Sequence, residues 1–170
     1  MLALPDRRPV PVSAQDPGSE LERPANPMFN PGKDDVRRFF CEAWRKHVQA
    51  TPLTPLEAMA LDWMLEHPEY HSELADLDAA LTAEYPVDGG RTNPFLHLSM
   101  HLAVSEQVSI DQPPGIRAAF QSLAAHRGSL HAAAHDIIEC LGQVVWQAQR
   151  DRSLPDSAAY IDCIRKRTGA

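Results

Sequence analysis

Eight histidines are spread over the 170-residue chain, and two pairs of them with a spacing of four residues lie in segments that no proline interrupts. One pair is His97 and His101; the other is His131 and His135, which Glu139 extends by one more turn. Residues at positions i and i+4 share one face of a helix, so both imidazoles of a pair can bind the same cation. The spacing therefore predicts metal-binding chemistry, provided that both segments are helical.

Apolar residues accompany both histidine pairs, which predicts that the pairs face the interior of the fold. Met100 and Val104 lie on the face of the first pair, and Ile138 lies on the face of the second. The sequence has neither a Gly-rich phosphate-binding loop nor the Gly-x-Ser-x-Gly motif of serine hydrolases. His131 is the weakest candidate of the four, because the positive end of the helix dipole opposes a cation in the first helical turn.

Two further residues extend the candidate metal site. Glu57 lies within an apolar stripe, where a buried carboxylate needs a partner, but it is also the third residue of a capping box with Thr54. His47 lies beside Trp44, where a histidine more often hydrogen-bonds in the core than binds metal. No catalytic residue is assigned. The predicted cofactor is divalent iron, manganese or zinc, and the predicted ligands are His47, Glu57, His97, His101, His131, His135 and Glu139.

Helices separated by clear breaks must position these residues. The helices begin at capping residues, several of which precede a proline, and they end at glycine or proline. No segment alternates as a strand does. The pattern predicts an all-α antiparallel bundle of about five to seven helices, over 34–49, 55–67, 68–83, 94–110, 116–126, 129–150 and 153–167.

The N-terminal segment differs from the rest of the chain. Residues 1–27 contain 6 of the 15 prolines and have no periodic apolar face. We expect either a disordered tail or an upstream start codon assigned wrongly, since Met28 follows at once. Residues 28–170 are predicted to form a single helical-bundle domain.

Charge and cysteine content restrict the partners and the compartment. A formal net charge of -7 disfavours binding to nucleic acid, and no apolar run approaches the length that spans a bilayer. The three cysteines are scattered, which fits a reducing cytoplasm better than a disulfide framework. Cys140 is expected to be a small buried residue. A small-molecule substrate and a protein partner both stay open.

One long motif resembles a known family. The stretch from Asn93-Pro94-Phe95-Leu96-His97 through Pro113-Pro114-Gly115-Ile116-Arg117 is similar to the uncharacterised bacterial family catalogued as domain of unknown function 1841. The likeness extends from Met28 to about Leu154. It implies a small cytoplasmic bacterial protein, and it supplies no activity.

The histidine pattern is also similar to that of two families of metal-binding bundles. The pairs His97/His101 and His135/Glu139 resemble those of hemerythrin-like proteins, although the family's His-x-x-x-x-Asp motif is missing. His47 with either pair resembles the three-histidine site of DinB-like metalloenzymes. The leading hypothesis is a bundle whose metal activates water or dioxygen. The alternative is a non-enzymatic interaction module with a hydrogen-bonded histidine core.

Overall fold

The computed structural model describes residues 32–86 and 90–169, and every regular element in these ranges is helical. Within them lie a 3-10 turn (Pro68–Tyr70) and eight α-helices: α1 (Lys33–Val48), α2 (Pro55–Glu66), α3 (His71–Ala75), α4 (Leu77–Thr82), α5 (Pro94–Ile110), α6 (Ile116–Arg127), α7 (Leu130–Asp151) and α8 (Ser157–Lys166). The predicted all-α bundle is confirmed. The tail predicted over 1–27 lies outside the described residues, and the single-domain assignment stays a prediction. None of the described helices is long and apolar enough to cross a membrane.

The helix count exceeds the prediction because the segment 68–83 is not one helix. It consists of the 3-10 turn, α3 and α4. Asp76 separates α3 from α4, since its backbone is extended and its carboxylate accepts a hydrogen bond from the Ala79 N–H at 2.9 Å. An aspartate that caps a new helix interrupts the preceding one.

Capping residues determine where the site-bearing helices begin. Asn93 Oδ1 accepts hydrogen bonds from the first free N–H groups of α5, and Pro94 occupies the first helical position. Ser129 Oγ accepts from the Ala132 N–H at the start of α7. The caps fix where the two helices begin, and the apolar stripe of each helix decides which side chains face inward.

Two apolar clusters hold the helices together, and α5 contributes to both. The N-terminal core is built around Phe40 and Leu98 and includes residues of α1 to α5. The C-terminal core is built around Val104 and Ile137 and includes residues of α5 to α8. The C-terminal half of α2 and the helices α5 and α7 therefore meet where the two cores adjoin.

A disulfide corrects the expectation of three free cysteines. Cys140 on α7 is bonded to Cys163 on α8, and their Cα atoms are 5.8 Å apart. Cys140 is buried, as predicted, while Cys41 is the free thiol. The two cysteines are 23 residues apart, and their approach depends on how α8 packs against α7. Spacing along the sequence does not show that packing.

Candidate metal centre

Five histidines from three chain segments meet at the junction of the two cores. His67 is the central ring, and its centroid lies 4.7 to 5.5 Å from those of the other four. His67 and His101 are buried, and the remaining three are half-buried. This histidine cluster consists of His67 at the C-terminal cap of α2, His97 and His101 on α5, and His131 and His135 on α7.

Ring nitrogens rather than ring carbons converge at the centre of the cluster. His67 Nε2 lies 3.0 Å from His101 Nε2 and 3.3 Å from His131 Nε2. His101 Nε2 lies 3.2 Å from His97 Nε2. One ligand atom from each of four residues lies within 4.8 Å of the other three, in His67, His97, His101 and His135. The cluster is thus arranged to present several nitrogens to one point.

Hydrogen bonds among neutral imidazoles do not account for this arrangement. A neutral ring has one N–H and one lone pair, and each points along a single line in the ring plane. The Nε2 atoms of His67 and His101 each meet two other Nε2 atoms, so the three short contacts cannot all be linear hydrogen bonds. In addition, His101 Nδ1 and His135 Nε2 are buried without any hydrogen-bond partner.

Glu69 determines which nitrogen of the central ring carries the proton. The Nδ1–H of His67 donates to Glu69 Oε1 at 2.8 Å, which leaves the lone pair of the neutral ring on Nε2, facing the cluster. The same hydrogen bond lowers the pKa of the Glu69 carboxyl below its usual value. A carboxylate behind a histidine in this way is the usual outer support of a metal-binding imidazole. Glu66 lies behind His131 in a similar position but at a longer distance, with 3.7 Å between Glu66 Oε2 and His131 Nδ1.

Burial keeps three rings of the cluster uncharged. Loss of hydration lowers the pKa of His101 to about 2 and that of His97 to about 4, with neighbouring histidines adding to both effects. The pKa of His135 is lowered for the same reasons. Near neutral pH these rings are therefore free bases, and a free imidazole is the form that binds a metal ion.

An aromatic wall covers one side of the cluster. The indole of Trp63 stacks on the His101 ring at 4.3 Å between centroids. The Trp63 Nε1–H donates to Ser105 Oγ at 2.6 Å, which holds the indole between α2 and α5. The stacked indole restricts rotation of His101 and excludes water from that side.

The structure brings four of the seven predicted ligand residues together. His97, His101 and His135 belong to the group whose ligand atoms converge. His131, predicted to be the weakest of the four, lies at the rim with a side chain that is 32% exposed. The two i, i+4 pairs, predicted to point toward the interior, lie next to each other, and the ring centroids of His101 and His135 are 4.9 Å apart.

The other three predicted ligands lie elsewhere, each with a local partner. Glu57 completes the capping box with the Thr54 N–H and accepts from Lys46 Nζ at 2.7 Å. Of its two interpretations, the structure therefore supports the capping one. Glu139 points away and pairs with Arg167 at 2.7 Å, and its side chain is 64% exposed. His47 is exposed, with its ring 5.4 Å from that of Trp44.

Sequence reasoning missed His67, the residue at the centre. It lies outside a helix, at the position where Pro68 ends α2, so it does not share a helical face with His71, four residues further on. The available signal was a histidine at a predicted helix end, two residues before a glutamate. That signal is weak, because many helices end with a basic residue that serves only the helix dipole.

Comparison with known proteins identifies a family and no relative of known activity. A family described as Domain of unknown function (DUF1841) matches residues 32–166. That range includes all five histidines of the cluster. No curated protein and no solved structure matches the chain.

The metal-free protein should lose stability in mild acid. His101, His97 and His135 have pKa values below the ordinary value of about 6.5 that they regain on unfolding, so the unfolded chain takes up protons first. Stability is therefore complete above about pH 6.5 and falls as the pH decreases toward 4. For the buried His101 the slope is at most about 1.4 kcal/mol per pH unit. Urea unfolding in the presence of a chelator, between pH 7.5 and 5, measures this pH dependence of the free energy of unfolding.

A His101→Phe variant is the matched control for this measurement. It keeps an aromatic ring against Trp63 and removes one titrating group, so its pH dependence should be shallower than that of the wild type. Equal free energies of unfolding at pH 7 and pH 5 in the wild type would contradict the prediction.

Proposed function

Because the chain belongs to the DUF1841 family, whose description states no activity, we propose its function from the cluster itself: it binds one divalent transition-metal ion. The proposed ligands are His67, His97, His101 and His135, with His131 at the rim. The observation that carries the proposal is the convergence of one ring nitrogen from each of these four histidines within 4.8 Å of the others.

The distances between the nitrogens support metal binding. Metal–nitrogen bonds of about 2.0–2.1 Å place the ligands of a tetrahedral ion roughly 3.3 Å apart. Two Nε2–Nε2 separations within the proposed ligand set, His67–His101 at 3.0 Å and His101–His97 at 3.2 Å, are close to that value. All four ligand atoms lie within 4.8 Å of one another. A cation would also give every converging lone pair a partner, which the hydrogen-bonded alternative does not.

The type of donor restricts the metal. The donors brought together are imidazole nitrogens, while Glu57 and Glu139, the two predicted carboxylate ligands, have partners elsewhere. Imidazole suits zinc and iron, whereas manganese prefers oxygen donors. We therefore favour zinc or divalent iron over manganese.

The proposed chemistry is activation of a small molecule by the bound ion. With four histidines bound, water or another small molecule would bind as a fifth ligand, and zinc or iron would supply Lewis-acid chemistry there; iron would in addition bind dioxygen. Glu69 would orient His67 throughout. The pair of His131 and Glu66, which reaches solvent at the rim, is placed to accept or deliver a proton. A purely structural metal would not need a solvent-exposed His131–Glu66 pair beside it.

Compartment and partners stay predictions. The disulfide between Cys140 and Cys163 is typical of an oxidising environment, so the cytoplasmic location expected from the sequence requires this pair to be reduced in the cell. The expected lack of nucleic-acid and membrane partners rests on charge and hydropathy alone.

Removal of the central ring tests the metal site. We expect tag-free wild-type protein, loaded with zinc or iron and desalted, to hold one ion per chain. His67→Ala should lower the affinity at least 100-fold, because it removes a converging ligand. His47→Ala removes an exposed histidine outside the cluster and should change nothing. Elemental analysis and chelator competition measure the outcome, and circular dichroism checks folding. Failure of the wild type to retain metal would falsify the proposal.

Loss of the supporting carboxylate should weaken binding without abolishing it. Glu69→Gln removes the charged acceptor of the His67 Nδ1–H, and such changes typically lower metal affinity 10- to 100-fold. Glu139→Gln is the matched control, since that exposed carboxylate contacts Arg167 instead. Equal zinc affinities for the two variants, measured by competition, would show that Glu69 has no supporting role.

A further inference from the structure

A groove of about 780 Å³ runs beside the histidine cluster, between α2, α5, α6 and the start of α7. This volume is within the range of about 300–1,000 Å³ that is typical of small-molecule sites. Its walls are chiefly apolar and include Met59, Leu65, Val104, Val108, Phe120 and Leu130. Leu65 and Leu130 are 49% and 63% exposed, so the groove leaves apolar surface open to solvent.

One end of the groove is the outer wall of the cluster. Trp63 lines the groove with one part of its indole and stacks on His101. His131 also lines the groove, and its Nε2 lies 3.3 Å from that of the central His67. A molecule lying in the groove would thus reach the rim of the proposed metal site without passing through the core.

Charge at this end favours one class of polar group. Asp62 and Glu66 line the groove, and Glu66 Oε2 is 3.7 Å from His131 Nδ1. Among the described residues that line it, none is a lysine or an arginine. The carboxylates repel an anion and accept a neutral hydrogen-bond donor or a cation.

We propose that the groove binds the substrate of the metal site, a small molecule with an apolar body and a neutral or positively charged polar head. The body lies against Val108 and Phe120, and the head lies at the His131 end, beside the metal. This proposal rests on the proposed function, because it assigns a substrate class to the same metal.

A series of 1-alkylimidazoles tests the proposal on cobalt-loaded protein. The imidazole head is mostly uncharged at pH 8 and binds metal, and the alkyl chain is the variable. Visible absorption of cobalt reports head binding, and calorimetry reports total affinity. From the methyl to the hexyl compound, we expect affinity to rise up to about fourfold for each CH₂ that enters the groove. Alkanoates of equal length should bind at least tenfold more weakly, because of Asp62 and Glu66.

Two matched variants locate the alkyl chain. Ser109 is exposed and lines the groove, so Ser109→Trp should fill the groove and abolish the dependence on chain length. Ser122 is exposed on α6 and does not line the groove, so Ser122→Trp should behave as the wild type. Neither residue belongs to the metal site, and both variants should bind cobalt normally.

Each other outcome overturns a distinct part of the argument. No cobalt uptake overturns the metal site and this proposal with it. Normal cobalt uptake with equal affinity for all chain lengths overturns the groove alone. Chain-length dependence without a spectral change shows that the head does not reach the metal. A wild-type dimer that becomes monomeric on Ser109→Trp shows that a second copy of the chain covers the groove, which also overturns the proposal.

Discussion

The structure depends on the close approach of several imidazole nitrogens. Each neutral ring has one N–H, so hydrogen bonds cannot account for all of these contacts. His67, His101 and their neighbours come from separate segments, and their lone pairs meet where two apolar cores adjoin. Buried nitrogen atoms without partners cost about 1–3 kcal/mol each. A cation at the centre would instead give the converging lone pairs a common partner. The same ion would join the end of α2 to α5 and α7, and so would connect the N-terminal core to the C-terminal core.

Local chain rules bring the rings to this point. Pro68 ends α2 and leaves His67 at the cap, free of helical geometry and able to turn toward α5. Asn93 and Ser129 set the first residues of α5 and α7, and the four-residue spacing puts both histidines of each pair on one face of its helix. Glu69 then selects the tautomer of His67. Local features of the chain thus bring together histidines that are far apart in the sequence.

The same rules explain how much the sequence could predict. Caps and apolar periodicity were sufficient for the long helices and for the inward direction of His97, His101 and His135. They failed at Asp76, where a cap divides a segment that looks continuous. They could not reveal the pairing of Cys140 with Cys163, because that contact depends on the packing of two helices.

The differences between the predicted ligand set and the histidine cluster have a physical explanation. Glu57 and Glu139 are acidic residues on helices, but each finds a basic partner nearby, Lys46 in one case and Arg167 in the other. Periodicity records which face a residue occupies and cannot show such pairing. It also gives no signal for a residue like His67, which follows the last helical turn. Helix ends next to a proline are therefore places where sequence analysis should look for ligands.

X-ray absorption spectroscopy of the metal-loaded protein tests the central claim most directly, because it identifies the atoms around the ion. Convergence of the four rings predicts a shell of nitrogens at about 2.0–2.1 Å from zinc, with outer-shell scattering from about four imidazole rings. A shell of oxygens without imidazole scattering would contradict the claim and place the metal elsewhere on the molecule.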